Sequence, residues 1–166
     1  MNAKPLAALA VLCLLAACSD DAATSNTAGA ATGSGAAASS AGMGMQTLPG
    51  SQEDLVSSVG DRVFFGLDQS ALSGEARATL DRQAAWLTRY PQVIVQVAGN
   101  CDERGTEEYN LALGQRRANA ARDYLVARGV SSARVSTISY GKTRPAALGS
   151  DDQSWSQNRN AITSVR

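Results

Sequence analysis

The sequence contains no histidine at any of its 166 positions. Histidine is the side chain that most often exchanges a proton near neutral pH, and its imidazole is the commonest ligand of transition metals. Its absence argues against histidine-based acid–base catalysis and against most transition-metal sites. We therefore expect no cofactor of that kind.

An excess of charge of one sign is also missing, because Lys+Arg and Asp+Glu both number 15. A neutral chain creates no strong field that would select nucleic acid or an anionic membrane surface. We therefore expect no nucleic-acid partner. Lysine is scarce as well, since Lys142 is the only one after residue 50. Arginine supplies the remaining cations of this part, and its planar guanidinium suits carboxylates and phosphates better than an ammonium does.

Cysteine is limited to three positions, Cys13, Cys18 and Cys101. Only Cys101 lies in the C-terminal part of the chain, so no disulfide framework can form within that part. We expect Cys101 to be a small, half-buried loop residue rather than a redox centre.

The N-terminal residues have the pattern of a secretory leader. Lys4 precedes an apolar stretch at residues 6–15 that is too short to span a bilayer, so we assign residues 1–17 to a signal peptide. The segment L-A-A-C ending at Cys18 resembles a bacterial lipobox, in which the cysteine is lipidated and becomes the mature N-terminus. The acyl chains would anchor the protein in lipid, and Ser19 resembles the signal for the outer membrane. The alternative is an ordinary signal peptide with an incidental cysteine.

A segment of low complexity follows. Residues 19–50 include nine Ala, six Gly, five Ser and four Thr among 32 positions. Such a composition offers little apolar area to bury, so it predicts a flexible tether. We therefore place a lipidated cysteine and tether at residues 18–50 and a folded domain at residues 51–166.

The pattern of the domain predicts an α/β (α+β) sandwich. Ser73 and Thr106 are placed to cap two helices, and a mostly apolar run at residues 93–98 predicts a central strand. We expect residues 142–157 to be mostly loop with one helical turn near Asp152. The order β-α-β-α-β-β indicates a mixed four-stranded sheet with its helices on one face. The remaining predicted strands are residues 62–65, 134–140 and 160–165, the helices are residues 73–90 and 107–128, and the second helix should bury Leu111, Gly114, Ala118, Ala121 and Leu125.

The loop between the central strand and the second helix concentrates charged residues. Asp102 opens it, and Asn110 and Arg117 lie seven positions apart on one stripe of the following helix. If that stripe faces the loop, Asp102 and Arg117 share one site of opposite charges. Such a site suits a zwitterion that carries both an ammonium and a carboxylate. The alternative is a solvated, salt-bridged turn without a ligand.

The segment D-E-R-G-T-x-E-Y-N-x-x-L-G-x-R-R-A at residues 102–118 resembles the OmpA-like, peptidoglycan-binding domain family. The resemblance covers residues 62–165 and implies strand order 1-4-2-3. It further implies that Asp102 takes the amino group and Arg117 a carboxylate of the diaminopimelate residue in the peptidoglycan stem peptide. The site residues that the resemblance implies are Asp68, Asn100, Asp102, Arg104, Asn110, Leu113 and Arg117.

Two positions depart from the pattern of that family. Asn100 stands where a Gly-His-x-Asp segment has histidine, which concerns one polar ligand contact. Asn160 ends a segment that is usually Asn-Arg-Arg, and we expect this difference to affect the strand edge or partner contacts more than Asp102 or Arg117.

The resemblance implies an outer-membrane lipoprotein whose periplasmic domain binds peptidoglycan non-covalently. It also implies partnership with Tol proteins, TolB in particular, and a part in envelope constriction at division. A general wall-anchoring lipoprotein of the same family without Tol contacts is the first alternative. A peptidoglycan hydrolase that uses Asp102 and Glu108 as paired carboxylates is the second, although nothing in the sequence fixes their separation.

Overall fold

The computed structural model describes residues 47–166. The predicted signal peptide, Cys18 with its predicted lipidation, and all but the last few residues of the predicted tether lie outside this range. The helices are α1 (Gln52–Ser58), α2 (Gly74–Arg89), α3 (Glu107–Ala127) and α4 (Asp152–Asn158), and the strands are β1 (Arg62–Phe64), β2 (Val95–Asn100), β3 (Val135–Gly141) and β4 (Asn160–Val165), with a 3-10 turn at Ser132–Arg134 before β3.

The four strands form one mixed sheet in the order β1-β4-β2-β3. Strand β2 is central, parallel to β3 and antiparallel to β4, which in turn pairs antiparallel with β1. This arrangement confirms both the mixed four-stranded sheet and the strand order implied by the resemblance. Most residues of β2 are buried, which explains why apolar residues predominate in the run at residues 93–98 that overlaps it.

One face of the sheet packs against α2 and α3 and forms the core. Along β2 the side chains of Val95 and Val97 point into this core and are fully buried. Helix α1 adds Leu55 to the core and is tied to α2 by a hydrogen bond from Trp86 Nε1 to Asp54 Oδ2 of 3.0 Å. The other fully buried apolar side chains of the core are Leu80, Leu87, Ala118 and Leu125.

Helix α3 crosses β2 at a glycine pair. A Cβ atom placed on Gly99 would lie 1.8 Å from the carbonyl oxygen of Gly114, and one placed on Gly114 would lie 2.4 Å from Ser139 Oγ. Only glycine permits this approach. It brings the N-terminal half of α3 directly against the carboxyl end of β2.

Both long helices begin where their capping residues predict. The side chains of Ser73 and Thr106 accept hydrogen bonds from the third residue along, Ala76 N at 3.1 Å and Tyr109 N at 3.2 Å. Helix α3 ends one residue before its predicted boundary, and Gly129 follows in the left-handed conformation with φ 96°.

Several details of the prediction differ from the structure, and helix α1 was not predicted at all. The central strand is residues 95–100 rather than 93–98, and the helical turn near Asp152 extends to seven residues in α4. On α3, Leu111 is 39% exposed and Leu113 is buried instead. Leu113 is buried because it faces the loops at the end of β2 rather than the sheet. No helix in residues 47–166 is long and apolar enough to cross a membrane.

Candidate ligand-binding site

A cavity of about 150 Å³ lies at the carboxyl end of β2, between the β2–α3 loop, the β1–α2 loop and the start of α3. Six of the seven residues that the sequence predicts for the site line this cavity. They are Asp68, Asp102, Arg104, Asn110, Leu113 and Arg117, joined by Leu67, Cys101, Gly105, Tyr109 and Arg159.

Asp102 is 6% exposed and its carboxylate is held by two arginines. Arg104 reaches both carboxylate oxygens, with Nη2 2.6 Å from Oδ2 and Nε 3.3 Å from Oδ1, and the Arg104 amide lies 3.2 Å from Oδ1. Arg159 Nη1 lies 3.3 Å from Oδ2. Burial alone would raise the pKa of Asp102, but these hydrogen bonds outweigh it and leave the pKa below its ordinary value. Asp102 is therefore ionised at neutral pH.

Arg117 is fully buried and connects two walls of the cavity. Its Nε and Nη2 donate to the carbonyl oxygens of Gln69 and Gly66 in the β1–α2 loop, at 2.8 and 3.1 Å. Its Nη1 donates to the carbonyl oxygen of Asn100 at 2.8 Å and to Cys101 Sγ at 3.3 Å. Four of the five N–H groups of a guanidinium are thereby used, and one on Nη2 remains. Burial lowers the pKa of Arg117, opposed by nearby Cys101 and Asp102, but arginine stays charged.

Asp102 and Arg117 share the cavity as the sequence suggests, but they do not pair with each other. Each salt bridge of Asp102 within the described residues goes to Arg104 or Arg159. The positive charge of Arg117 therefore has no carboxylate in direct contact, and the cavity holds three guanidinium groups against the carboxylates of Asp68 and Asp102. This local excess of positive charge suits a ligand with a carboxylate.

Asp68 forms the rim of the cavity together with Tyr109, whose hydroxyl donates to Asp68 Oδ1. This hydrogen bond raises the pKa of the Tyr109 hydroxyl. Among the described residues Asp68 is the only non-glycine residue with a positive φ, 58°. A left-handed conformation outside glycine costs energy and must be held by its surroundings. Arg117 beneath this loop and Tyr109 above it provide that support.

Asn110 and Leu113 form the wall contributed by α3. Asn110 Nδ2 donates to the carbonyl oxygens of Arg104 at 2.7 Å and Thr106 at 3.0 Å, so its buried amide shapes the β2–α3 loop from inside. Leu113 is 4% exposed and supplies an apolar surface. The two residues therefore contribute shape and packing rather than charge.

Asn100 is the one predicted site residue whose side chain lies elsewhere. It faces the other side of the sheet, where its Nδ2 lies 2.8 Å from Asn160 Oδ1, and only its carbonyl oxygen contacts Arg117. Asn100 and Asn160 are the two positions that depart from the pattern of the family. In this chain they contact each other, and both are buried.

Arg159 is the site residue that the sequence reasoning missed. Arg159 contacts Asp102 directly, and its Nε donates to the carbonyl oxygen of Phe65 at 3.2 Å. The departure at Asn160 itself concerns the contact with Asn100 in the sheet and does not touch Asp102 or Arg117. Arg159 lies between α4 and β4, and this position brings it to the cavity. The available signal in the sequence was that Arg159 directly precedes a predicted strand.

Cys101 is more buried than expected, at 2% exposure, and lies at the floor of the cavity. Its Sγ donates to the carbonyl oxygen of Asn110 at 3.4 Å and accepts from Arg117. Burial raises the pKa of the Cys101 thiol, so the thiol stays protonated and serves as a small packing residue.

The β2–α3 loop is fixed from its outer side by two further residues. Trp155 on α4 donates from Nε1 to Glu103 Oε1 at 3.0 Å, and its ring lies 4.1 Å beneath the guanidinium of Arg104. Lys142 Nζ donates to the carbonyl oxygens of Gly105 at 2.8 Å and Glu103 at 3.4 Å. Contacts from α4 and from Lys142 thus brace the outer side of the loop that carries Asp102.

The fold is that of an α/β sandwich domain, and this charged cavity is its candidate ligand site. The sequence profile of the OmpA family matches residues 64–159, which include every residue lining the cavity. The chain belongs to the OmpA family.

Two relatives illustrate the similarity. The chain is 55% identical over 126 residues to a peptidoglycan-associated lipoprotein of Rhizobium meliloti (strain 1021), covering 74% of this chain and 72% of the relative. It is 47% identical over 156 residues to a peptidoglycan-associated lipoprotein of Agrobacterium fabrum, covering 94% of this chain and 84% of the relative.

Solved structures show the same fold. The crystal structure of the peptidoglycan-associated lipoprotein from Burkholderia pseudomallei matches with a TM-score of 0.64 and 40% identity, over 68% of this chain and all of the other. The C-terminal domain of Helicobacter pylori MotB matches with a TM-score of 0.60 at 22% identity, over 64% of this chain and 84% of the other. The second similarity concerns the fold alone.

Proposed function

We propose that this chain is an outer-membrane lipoprotein whose periplasmic domain binds peptidoglycan non-covalently through the diaminopimelate residue of the stem peptide. The observation that carries the proposal is that Asp102, Arg117 and Arg159 line the same cavity within a fold of the OmpA family. The names of the relatives, which describe lipoproteins associated with peptidoglycan, support the same assignment.

The cavity provides both charges that the side-chain end of diaminopimelate requires. The ammonium is taken by the carboxylate of Asp102, with Asp68 at the rim as a second acceptor. The carboxylate approaches the remaining Nη2 hydrogen of Arg117 and the guanidinium of Arg159. Hydrogen bonds to charged groups contribute about 1.5–3 kcal/mol each, so a ligand that satisfies both charges gains far more than one that satisfies a single charge.

Binding rather than cleavage is the reaction we assign to the site. A glycoside hydrolase needs two carboxyl groups flanking the bond to be broken. Glu108, the partner that the hydrolase hypothesis requires, is exposed on α3 and does not line the cavity, while Asp102 is engaged by two arginines. The geometry therefore favours an anchoring site over a catalytic pair.

Membrane attachment and the Tol partnership complete the proposal. The L-A-A-C segment supports lipidation at Cys18, and a Cys18→Ser protein that still fractionated with outer membranes would contradict it.

The segment S-Y-G-K-x-R-P at residues 139–145 favours contact with TolB over the alternative of an anchoring lipoprotein without Tol contacts. Co-purification with TolB from cross-linked cells distinguishes the two.

Co-sedimentation with purified sacculi tests the binding function, and turbidity of the same suspension tests cleavage. We expect the protein to sediment with sacculi without clearing them, and Asp102→Asn to remain in the supernatant while still folded. Asp123→Asn is the matched control, because it removes an exposed carboxylate that pairs with Arg122 away from the cavity. Clearing of the suspension, or normal sedimentation of a folded Asp102→Asn protein, would contradict the proposal.

A further inference from the structure

We propose that Arg104 is an internal competitor for the ligand's ammonium group, a self-ligand that occupies Asp102 until a diaminopimelate amine displaces it. The inference rests on the proposed function and assigns Arg104 a role opposite to that of a ligand contact. Its consequence is selectivity, because a ligand without a free amine cannot replace the guanidinium.

The first observation is that Asp102 has no hydrogen-bonding capacity left. A carboxylate offers about four acceptor positions. The Arg104 amide and Nε take two on Oδ1, and Arg104 Nη2 and Arg159 Nη1 take two on Oδ2. An ammonium that binds Asp102 must therefore displace an existing donor.

The second observation identifies which donor can leave. The side chain of Arg159 is only 15% exposed, and its Nε is tied to the carbonyl oxygen of Phe65. The side chain of Arg104 is 38% exposed, and among residues 47–166 its only hydrogen-bond acceptor is Asp102. Displacing Arg104 therefore breaks contacts with one carboxylate and leaves the rest of the cavity intact.

The third observation is a surface that can keep Arg104 after displacement. The guanidinium lies 4.1 Å from the centre of the Trp155 ring, within the distance for a cation–π contact. Trp155 is itself fixed by its hydrogen bond to Glu103. Arg104 can swing away from Asp102 while remaining stacked on Trp155, so its release does not require the loop to unfold.

Competition of this kind predicts that removing the Arg104 guanidinium tightens ligand binding. The apparent dissociation constant equals the intrinsic constant divided by the fraction of molecules in which the site is free. If Arg104 leaves Asp102 free in about one tenth of molecules, removing it tightens binding about 10-fold. A ligand contact would have the opposite effect, because its removal weakens binding.

The experiment is calorimetric titration of the purified protein with a diaminopimelate stem peptide and with the same peptide acetylated on the side-chain amine. We expect Arg104→Gln to bind the free-amine peptide about 10-fold more tightly than the native protein does, and to gain nothing for the acetylated peptide. Arg104→Lys, which keeps a charge but loses the planar fork, should gain less. Arg122→Gln is the matched control, because Arg122 is 35% exposed and pairs with Asp123 outside the cavity.

The outcomes separate this inference from the function on which it rests. Weaker binding by Arg104→Gln, with Asp102→Asn also weakened, would make Arg104 a ligand contact and overturn the inference while leaving the function in place. An equal gain for both peptides would also overturn it. Failure of the native protein and of both Arg104 variants to bind either peptide would overturn the proposed function itself.

Discussion

The buried guanidinium of Arg117 holds parts of the cavity together in addition to supplying a positive charge. It donates to three carbonyl oxygens, those of Gly66 and Gln69 in the β1–α2 loop and that of Asn100 at the end of β2, and so joins two walls of the cavity. A lysine keeps the charge but offers a compact group that cannot span acceptors on both the loop and the strand. The shape of the site therefore depends on arginine in particular at this position.

Replacing Arg117 by lysine should lower the free energy of unfolding by about 2–4 kcal/mol, because each buried carbonyl left unpaired costs about 1–3 kcal/mol. Urea denaturation of the native and variant proteins measures this difference. Arg116→Lys, at the exposed neighbouring position on α3, is the control and should change stability by less than about 0.5 kcal/mol. An Arg117→Lys protein as stable as its control would show that the loops do not depend on the guanidinium.

Because of Asp102, the free energy of unfolding should depend on pH in the acid range. Burial acts against its ionisation, but the hydrogen bonds from Arg104 and Arg159 hold its pKa below the ordinary value of 3.8. A depressed pKa in the folded state means that the carboxylate stabilises the fold above about pH 4 and loses this contribution as the pH falls through the folded pKa. The native protein should therefore exceed Asp102→Asn in stability at neutral pH, and the two should converge in stronger acid.

Urea denaturation of both proteins at a series of pH values between 7 and 2 checks this expectation. At neutral pH the difference should be about 3 kcal/mol, the lower end of the range typical of breaking a buried charge pair by removing one partner, because Arg104 is partly exposed. A difference that stayed constant down to pH 2 would mean that the ionised form of Asp102 is not what stabilises the fold.

At the level of secondary-structure elements, the contact between α3 and β2 fixes the position of the cavity. The backbones touch at Gly99 and Gly114, which places the start of α3 against the end of β2. Asn110 and Arg117 then reach the β2–α3 loop from the same helix. A change at this crossing should therefore affect both stability and the site.

Among substitutions that add a single methyl group to a glycine, we expect Gly99→Ala to destabilise the domain most. The added Cβ would meet the backbone oxygen of Gly114 at 1.8 Å, and a backbone atom cannot move aside as a side chain can. We expect a loss of about 3 kcal/mol or more, at or above the upper end of ordinary overpacking. Gly74→Ala is the control, because nothing lies within 4 Å of its added Cβ at the start of α2, and it should be neutral or stabilising.

Differential scanning calorimetry of the two glycine variants compares them on one scale. Equal melting temperatures would show that the two backbones are not in contact at Gly99.

The sequence predicted the elements that carry strong local signals. Ser73 and Thr106 identify the helix starts through their capping side chains, and the apolar run of β2 identifies the central strand. Helices α1 and α4 were missed or underestimated because each is only seven residues long. Helix α1 buries a single apolar residue, Leu55, and α4 is mostly polar, so neither shows a helical repeat of apolar residues.

The site was less predictable than the fold because side-chain direction depends on tertiary contacts. Asp102 and Arg117 were placed correctly in one cavity, but their actual partners come from distant segments, Arg159 and the β1–α2 loop. The side chain of Asn100 points away from the cavity because successive residues of a strand face opposite sides of the sheet. Without the exact end of β2, its direction could not be assigned.

At the level of the whole molecule, the formal net charge is zero, so no large overall charge attracts a ligand. Three arginines and two aspartates meet at a cavity of about 150 Å³ at one end of the sheet. The recognition that we propose is therefore local, through short hydrogen bonds to charged groups, rather than through a long-range field. The proposed ligand must match both charges within one small space.

The measurement that tests this account most directly compares two stem peptides that differ only at the third residue, diaminopimelate or lysine. Lysine keeps the side-chain amine but lacks the second carboxylate, so it leaves Arg117 and Arg159 without an anion. We predict that calorimetric titration of the native protein shows binding of the lysine peptide to be about 30- to 1000-fold weaker, equivalent to about 2–4 kcal/mol. Equal affinity for the two peptides would show that the cavity does not read the zwitterion, and would contradict the account.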